Sequence, residues 1–157
     1  MELSEALSLA KQNRFDEAIS VCNSYIERYP KQREGYEERA HIYSITNELH
    51  KAIDDIDTIE SLGLLNSGDY FSRGRWKLMV DDYNGAIDDL TLSIEGESEK
   101  NESYYSESSF FYRALAYLFV GNRDKVAEDC IHVRDDFQVY VKGKIRSKVD
   151  LLTELAR

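Results

Sequence analysis

Four segments of this 157-residue chain are variations on one phrase: NRFDEAISVC (13–22), NELHKAIDDI (47–56), DDYNGAIDDL (81–90) and GNRDKVAEDC (121–130). Each begins turn-like and has a small or β-branched residue at its sixth position: Ala18, Ala52, Ala86 and Val126. An apolar or sulfur residue follows four positions on: Cys22, Ile56, Leu90 and Cys130. The sixth positions lie 34, 34 and 40 residues apart. A period of this length denotes stacked supersecondary units, none of which can bury its apolar face alone.

Each unit reads as two helices. In the second, Tyr36, Ala40 and Tyr43 mark one face of a first helix, and Ala52, Ile53, Ile56 and Ile59 one face of a second, at i, i+3, i+4 and i+7 spacing. Asn47, Gly121 and their equivalents fall between the helices, where a helix terminus favours Asn or Gly. Pro30 follows the first unit's second helix, where a helix should stop. The period predicts units over about 2–31, 34–65, 68–97 and 104–136, within a single domain spanning 1–157. The six extra residues of the last interval fall in GESEKNESYYSESS (96–109), a Ser- and Glu-rich stretch that reads as a mobile loop, or else lengthens the last unit's first helix. Apolar residues at 145, 149, 152 and 155 predict one capping helix over about 138–156.

Composition narrows the function. Thirty acidic residues against 20 Lys and Arg leave a formal charge of −10, which repels nucleic-acid phosphates and anionic lipid and favours a basic or amphipathic protein partner. Residues 136–157 alone are locally basic, five cations against three acids, which leaves −12 on the rest. That segment reads as a solvated helix face, or as a charge-steered contact. The N-terminus lacks the apolar run of a signal peptide, and ALAYLFV (114–120) is too short to cross a bilayer. Two cysteines, Cys22 and Cys130, make no disulfide framework, so the expected location is cytoplasmic.

One feature of the repeat is unexpected. YEERAHIY (36–43), YFSRGRWK (70–77) and FFYRALAY (110–117) each carry an arginine beside the aromatic stripe: Arg39, Arg73 and Arg113. Sixteen residues later stand Asp55, Asp89 and Asp129. The first unit has Glu5 in the arginine position and Ser20 and Val21 where the others have acids, so charge and counter-charge appear and vanish together. A buried guanidinium must be paired, and its planar fork suits a carboxylate; the expectation is a structural ion pair between helices, with a ladder gripping an anionic ligand as the alternative.

Nothing in the sequence reads as catalytic machinery. His41, His50 and His132 are scattered, and no Cys or His spacing suggests a metal. There is no Gly-rich phosphate loop and no G-x-S-x-G elbow. The acidic pairs Asp54–Asp55 and Asp88–Asp89 repeat with the units, which favours architecture over a metal-dependent hydrolase. The expectation is therefore no enzyme activity, no cofactor and no metal.

The units resemble the tetratricopeptide repeat, a 34-residue helix–turn–helix. The resemblance rests on Tyr36, Ala40, Tyr43, Ala52, Ile56 and Ile59 in the second unit; Tyr70, Gly74, Tyr83, Ala86 and Leu90 in the third; and Phe110, Ala114, Tyr117, Val126 and Cys130 in the fourth. The first keeps Ala6, Phe15, Ala18, Tyr25 and Pro30. Lys77 departs from the expected Tyr, and only the first unit keeps the proline. The resemblance implies an all-α fold, a right-handed α-solenoid of antiparallel helix pairs whose first helices line a concave, protein-binding groove. Transferred by position, the groove residues are Glu34, Glu37, Glu38 and His41, then Phe71, Ser72, Arg75, Leu78 and Met79, then Phe111, Tyr112, Leu115, Leu118 and Phe119. The groove would be acidic at one end and aromatic at the other, unless the C-terminal helix covers the aromatic end. Some relatives clamp the carboxylate of a chaperone tail with Lys, Asn and Arg; the corresponding positions here hold Leu3, Leu7, Glu38, Gly68 and Ser72, which cannot serve. The implied function is a non-catalytic adaptor, with an immunity protein masking a toxin, or a secretion-chaperone-like protein, as narrower versions.

Overall fold

The computed structural model describes residues 3–100 and 102–156. The expected start of the first unit at residue 2, Asn101 of the Ser/Glu-rich stretch and Arg157 of the basic segment lie outside the described residues. The chain forms two compact units with their boundary between Leu65 and Asn66, the junction of the second and third repeats. The first holds α1 (Leu3–Lys11), α2 (Phe15–Arg28), α3 (Arg33–Ile45) and α4 (Leu49–Ser61). The second holds α5 (Ser67–Met79), α6 (Tyr83–Lys100), α7 (Ser106–Phe119), α8 (Arg123–Cys130), the strands β1 (Gln138–Val141) and β2 (Lys144–Ser147), and α9 (Lys148–Leu155).

The helical pairs follow from a turn used four times. Asn13, Asn47, Asp81 and Gly121 adopt φ of 59°, 62°, 69° and 78° at the repeat spacing. Left-handed backbone suits Gly and, among other residues, Asn and Asp. In each turn the next amide reaches back five residues: Arg14 N–H to Leu9, Glu48 to Tyr43, Asp82 to Lys77 and Asn122 to Tyr117, at 2.8–3.0 Å. This closure satisfies a terminal carbonyl and reverses the chain within a few residues, so consecutive helices pack antiparallel.

Small residues set how closely each pair approaches. Ala6, Ala40, Gly74 and Ala114 on the first helices, and Ala18, Ala52, Ala86 and Val126 on the second, are buried. At Gly74 an added Cβ would sit 2.8 Å from Leu90 Cγ, so only glycine fits that crossing without displacement. Each unit has its own core. Ala6, Leu9, Ala18, Val21, Cys22 and Ile42 form one in the first. In the second, Leu78, Leu90, Phe111, Leu115, Val126, Val133, Val141 and Leu151 are among the members. Each fully buried Leu, Ile or Phe among them contributes about 1.5–3 kcal/mol relative to exposure.

Two expectations are corrected. The single capping helix over 138–156 is instead a β-hairpin followed by the short α9. QVYV and KIRS alternate with period two around Lys142–Gly143, both at positive φ (48° and 80°), which is the signature of a two-residue hairpin turn. Ser147 then caps α9 through a reciprocal box with Asp150. The stripe at 145, 149 and 152 faces outward: Ile145, Val149 and Leu152 are exposed, whereas Leu151 is buried and Leu155 packs against the core. The second correction concerns 96–109. The α6 helix runs on to Lys100, and the buried Glu97 carboxylate accepts from Tyr105 N–H (2.8 Å) and Ser106 Oγ (2.5 Å), tying the start of α7 to α6.

Candidate functional site

The recurring arginines are fasteners between helices. Arg39 donates to both Asp55 oxygens (2.9 and 2.6 Å), Arg73 to both of Asp89 (2.8 and 2.7 Å), and Arg113 to both of Asp129 (2.9 and 2.7 Å). Each pair joins a first helix to the second helix of its own repeat. Two donors also reach the preceding second helix: Arg39 Nη1 to Asn23 Oδ1 (2.5 Å) in the first unit and Arg113 Nη1 to Thr91 Oγ1 (2.9 Å) in the second. Aromatic rings at i−3 and i+4 flank the guanidinium: Tyr36 and Tyr43 around Arg39, Phe110 and Tyr117 around Arg113. Around Arg73 the i−3 ring is Tyr70, while Lys77 stands at i+4 and pairs with Asp89 at 2.9 Å. The departure at Lys77 thus adds a second cation to the most enclosed aspartate. Burial pushes the Asp55 carboxyl up, and the Arg39 hydrogen bonds oppose that shift. Both oxygens of each aspartate are engaged by its arginine, so each pair ties one helix to the next.

The groove positions of the first unit lie on α3. Glu34, Glu37 and His41 are exposed, and Glu37 sits 3.2 Å from Arg33. Glu38 is half-buried; its Oε1 has no hydrogen-bond partner among the described residues, and burial pushes its carboxyl up. Leu7 on α1 and Ile45 at the end of α3 are exposed.

In the second unit, Leu78, Phe111, Tyr112 and Leu115 do not line an open surface; all four are core residues. The reason lies in the C-terminal segment. Val133, Val141 and Leu151 belong to the same cluster, and Phe137 packs 5.3 Å from the Phe111 ring. The hairpin tip is fastened too: Lys142 bonds the Asp81 carboxylate and Tyr83 Oη, and lies 5.1 and 5.4 Å from the stacked Tyr83 and Phe119 rings. Phe71, Ser72, Arg75, Met79 and Leu118 stay half-buried, and Phe119 is exposed.

A scan of family models and a search of curated proteins give no match. Solved structures do. MamA superposes with a TM-score of 0.73 at 20% identity, over 81% of this chain and 71% of that one. The TPR2B domain of yeast Sti1, in complex with pHsp70, gives 0.66 at 17% identity, over 73% and 92%. YrrB, described as a TPR protein with an unusual peptide-binding site, gives 0.57 at 13%, over 83% and 81%. The chain has the tetratricopeptide-repeat (TPR) fold.

In this TPR fold the chaperone-tail clamp positions hold half-buried or exposed Leu3, Leu7, Glu38, Gly68 and Ser72, with no cation among them. Among the described residues no group of three His, Cys, Asp or Glu is placed to hold a metal ion. No helix of the described residues is long and apolar enough to cross a membrane. Both cysteines are buried; burial pushes the Cys22 thiol up to about 12 and the Cys130 thiol upward as well. Sequence reasoning missed Asn23, Thr91 and Lys142. The first two stand five residues after Ala18 and Ala86, a repeated polar position that marks them in hindsight.

Proposed function

We propose that this TPR chain is a non-catalytic module that binds another protein or peptide through first-helix faces, with a basic or amphipathic segment as the partner. The observation that carries the reading is the α3 face, where Glu34, Glu37 and Glu38 gather and a Glu38 oxygen has no hydrogen-bond partner among the described residues. A half-buried carboxylate without a partner gains most from an incoming cation. In the second unit, taken by itself, the α5 face carries half-buried Phe71 and Met79, residue types favoured as interface anchors. Two solved structures whose descriptions mention ligands, Sti1 TPR2B with pHsp70 and the peptide-binding YrrB, accord with a protein or peptide ligand. The acidic surface and the buried, unpaired cysteines accord with the cytoplasm.

A phage-displayed 12-residue random peptide library tests this directly. Selection on the wild-type protein is expected to enrich peptides that combine Lys or Arg with apolar residues. A Glu37→Lys, Glu38→Lys double variant should bind them at least about tenfold more weakly, and raised salt should weaken wild-type binding. Recovery of peptides whose affinity ignores both changes would refute the acidic-face reading.

A further inference from the structure

The hairpin of the second unit has an edge with no strand beside it. Among the described residues β1 pairs with β2 alone, in the register Gln138↔Ser147, Val139↔Arg146, Tyr140↔Ile145 and Val141↔Lys144, with no bulge. A two-residue turn makes its flanking residues, Val141 and Lys144, a hydrogen-bonded pair, and such pairs alternate along an antiparallel ladder. Val139 therefore bonds Arg146, while the peptide groups of Gln138 and Tyr140 point away from β2. No other backbone or side-chain group among the described residues bonds those outward N–H and C=O groups. Both residues are exposed.

Edge strands commonly carry a device that discourages pairing, such as a charge, a proline or a bulge. QVYV has none of these, and Val139, Tyr140 and Val141 are of the β-branched and aromatic types that favour strands. The outer face of the hairpin is apolar as well. Tyr140 and Ile145 stand opposite one another there, 72% and 63% exposed. A two-stranded hairpin is marginal by itself, and further strands stabilise it.

The charges at the two ends of β1 indicate what fits the edge. Asp135 and Asp136 precede the strand, and Lys142 and Lys144 flank Gly143 at the tip. The segment DDFQVYVKGK is thus negative at its start, neutral in the middle and positive at its end. A copy of itself laid antiparallel matches both ends; a parallel copy sets like charge against like. Asp135 and Lys142 are held by Lys148 and Asp81, whereas exposed Asp136 and Lys144 form no ion pair among the described residues.

We propose that β1 is a self-association edge, on which the β1 strand of a second copy pairs antiparallel about a two-fold axis at Val139. The result is a four-stranded sheet in the order β2-β1-β1-β2. Gln138 of each copy stands opposite Tyr140 of the other, and each such pair exchanges both its N–H···O=C bonds. The Tyr140 side chains of the two copies become diagonal neighbours on the outer face, within reach of each other. The hairpin tip of one copy lies beside Asp135 and Asp136 of the other. The interface is isologous, so association closes at the dimer. It is small, which places the dissociation constant in the micromolar range. The inference is independent of the partner-binding reading, which concerns first-helix faces.

Sedimentation velocity on the full chain, from about 5 µM to about 500 µM, measures the association, and a monomer–dimer equilibrium is expected. Hydrogen exchange locates it. Between the ends of that range the Gln138 and Tyr140 amides should gain about threefold in protection, while Val139 and Val141, already bonded to β2, stay unchanged. Tyr140→Pro removes an outward donor and none of the hairpin's own, so it should abolish association, with the Val141 amide reporting that the hairpin still stands. Charge variants decide the matter even where the proline variant misfolds. Asp136→Lys alone and Lys144→Asp alone should each weaken association at least about threefold, and an equimolar mixture of the two should restore it, because facing charges are then opposite again. A chain that stays monomeric throughout the range overturns the proposal. So does a dimer that persists in Tyr140→Pro with its hairpin amides protected, since another surface then holds it, and so does a mixture that restores nothing.

Discussion

Arg73 and Asp89, with side chains only 4% and 3% exposed, form the most enclosed of the three ion pairs; Arg113 and Arg39 are 15% and 21% exposed. Removing one partner of a buried pair strands the other charge, at a cost of about 3–5 kcal/mol. Asp89 keeps Lys77 at 2.9 Å when Arg73 alone is removed, so it is the Arg73→Ala, Lys77→Met double variant that is expected to destabilise the protein by roughly that amount in urea denaturation, and Arg39→Ala by distinctly less, because water can reach the orphaned Asp55 more easily. Equal losses at the two sites would refute the burial argument. The cysteines give a second test at this scale. Thiolate is the reactive form, and the Cys22 thiol is pushed up to about 12. Both cysteines should resist a thiol reagent at about pH 8 until the protein is unfolded, with free-thiol titration in native and denaturing buffer as the check. The ion pairs were legible in the sequence because a long-range contact inside a repeat recurs at a fixed spacing of sixteen. Asn23 and Thr91 were not, since the position holds Asn23, Asp57, Thr91 and Ile131 in turn and only geometry reveals the shared role of the two acceptors.

At the scale of elements, the helix pairs were readable and the C-terminal segment was not. Asn13, Asn47, Asp81 and Gly121 announce a helix end by chemistry, and the fourfold repetition removes ambiguity. After Val133 there is no repetition to lean on. There Ile145, Val149 and Leu152 imitate a helix stripe, while Lys142–Gly143 and the Ser147–Asp150 box carry the true breaks. The hairpin so formed is held at its tip by one exposed ion pair. Lys142 and Tyr83 hold the Asp81 carboxyl below its ordinary range. A lowered native pKa contributes stability above the ordinary carboxylate value of about 3.9, lost as pH falls through the lower native value. Acidification from about pH 5 to about pH 3 should then loosen the hairpin-tip amides before those of α6 and α7 in hydrogen exchange. Lys142→Met should abolish that pH dependence of the tip; a tip insensitive to both would show that apolar packing alone holds it. The candidate site divides along the same line. The acidic α3 residues were legible because surface charge needs no packing partner, whereas Leu78, Phe111, Tyr112 and Leu115 are claimed by a segment whose fold the pattern had concealed.

For the molecule as a whole, the fold is carried by period and the interaction chemistry by what departs from period. The third interval is 40 residues instead of 34, yet Arg113 still stands sixteen before Asp129 and Ala114 twelve before Val126. The extra length therefore sits entirely outside the span that a repeat needs for its internal pairs, in the α6 extension and the link to α7. Evolution, or an engineer, can lengthen this chain between repeats without retuning any fastener, and the link after Lys100 is where a foreign loop, a tag or a new recognition element could be spliced in while each helix pair closes as before.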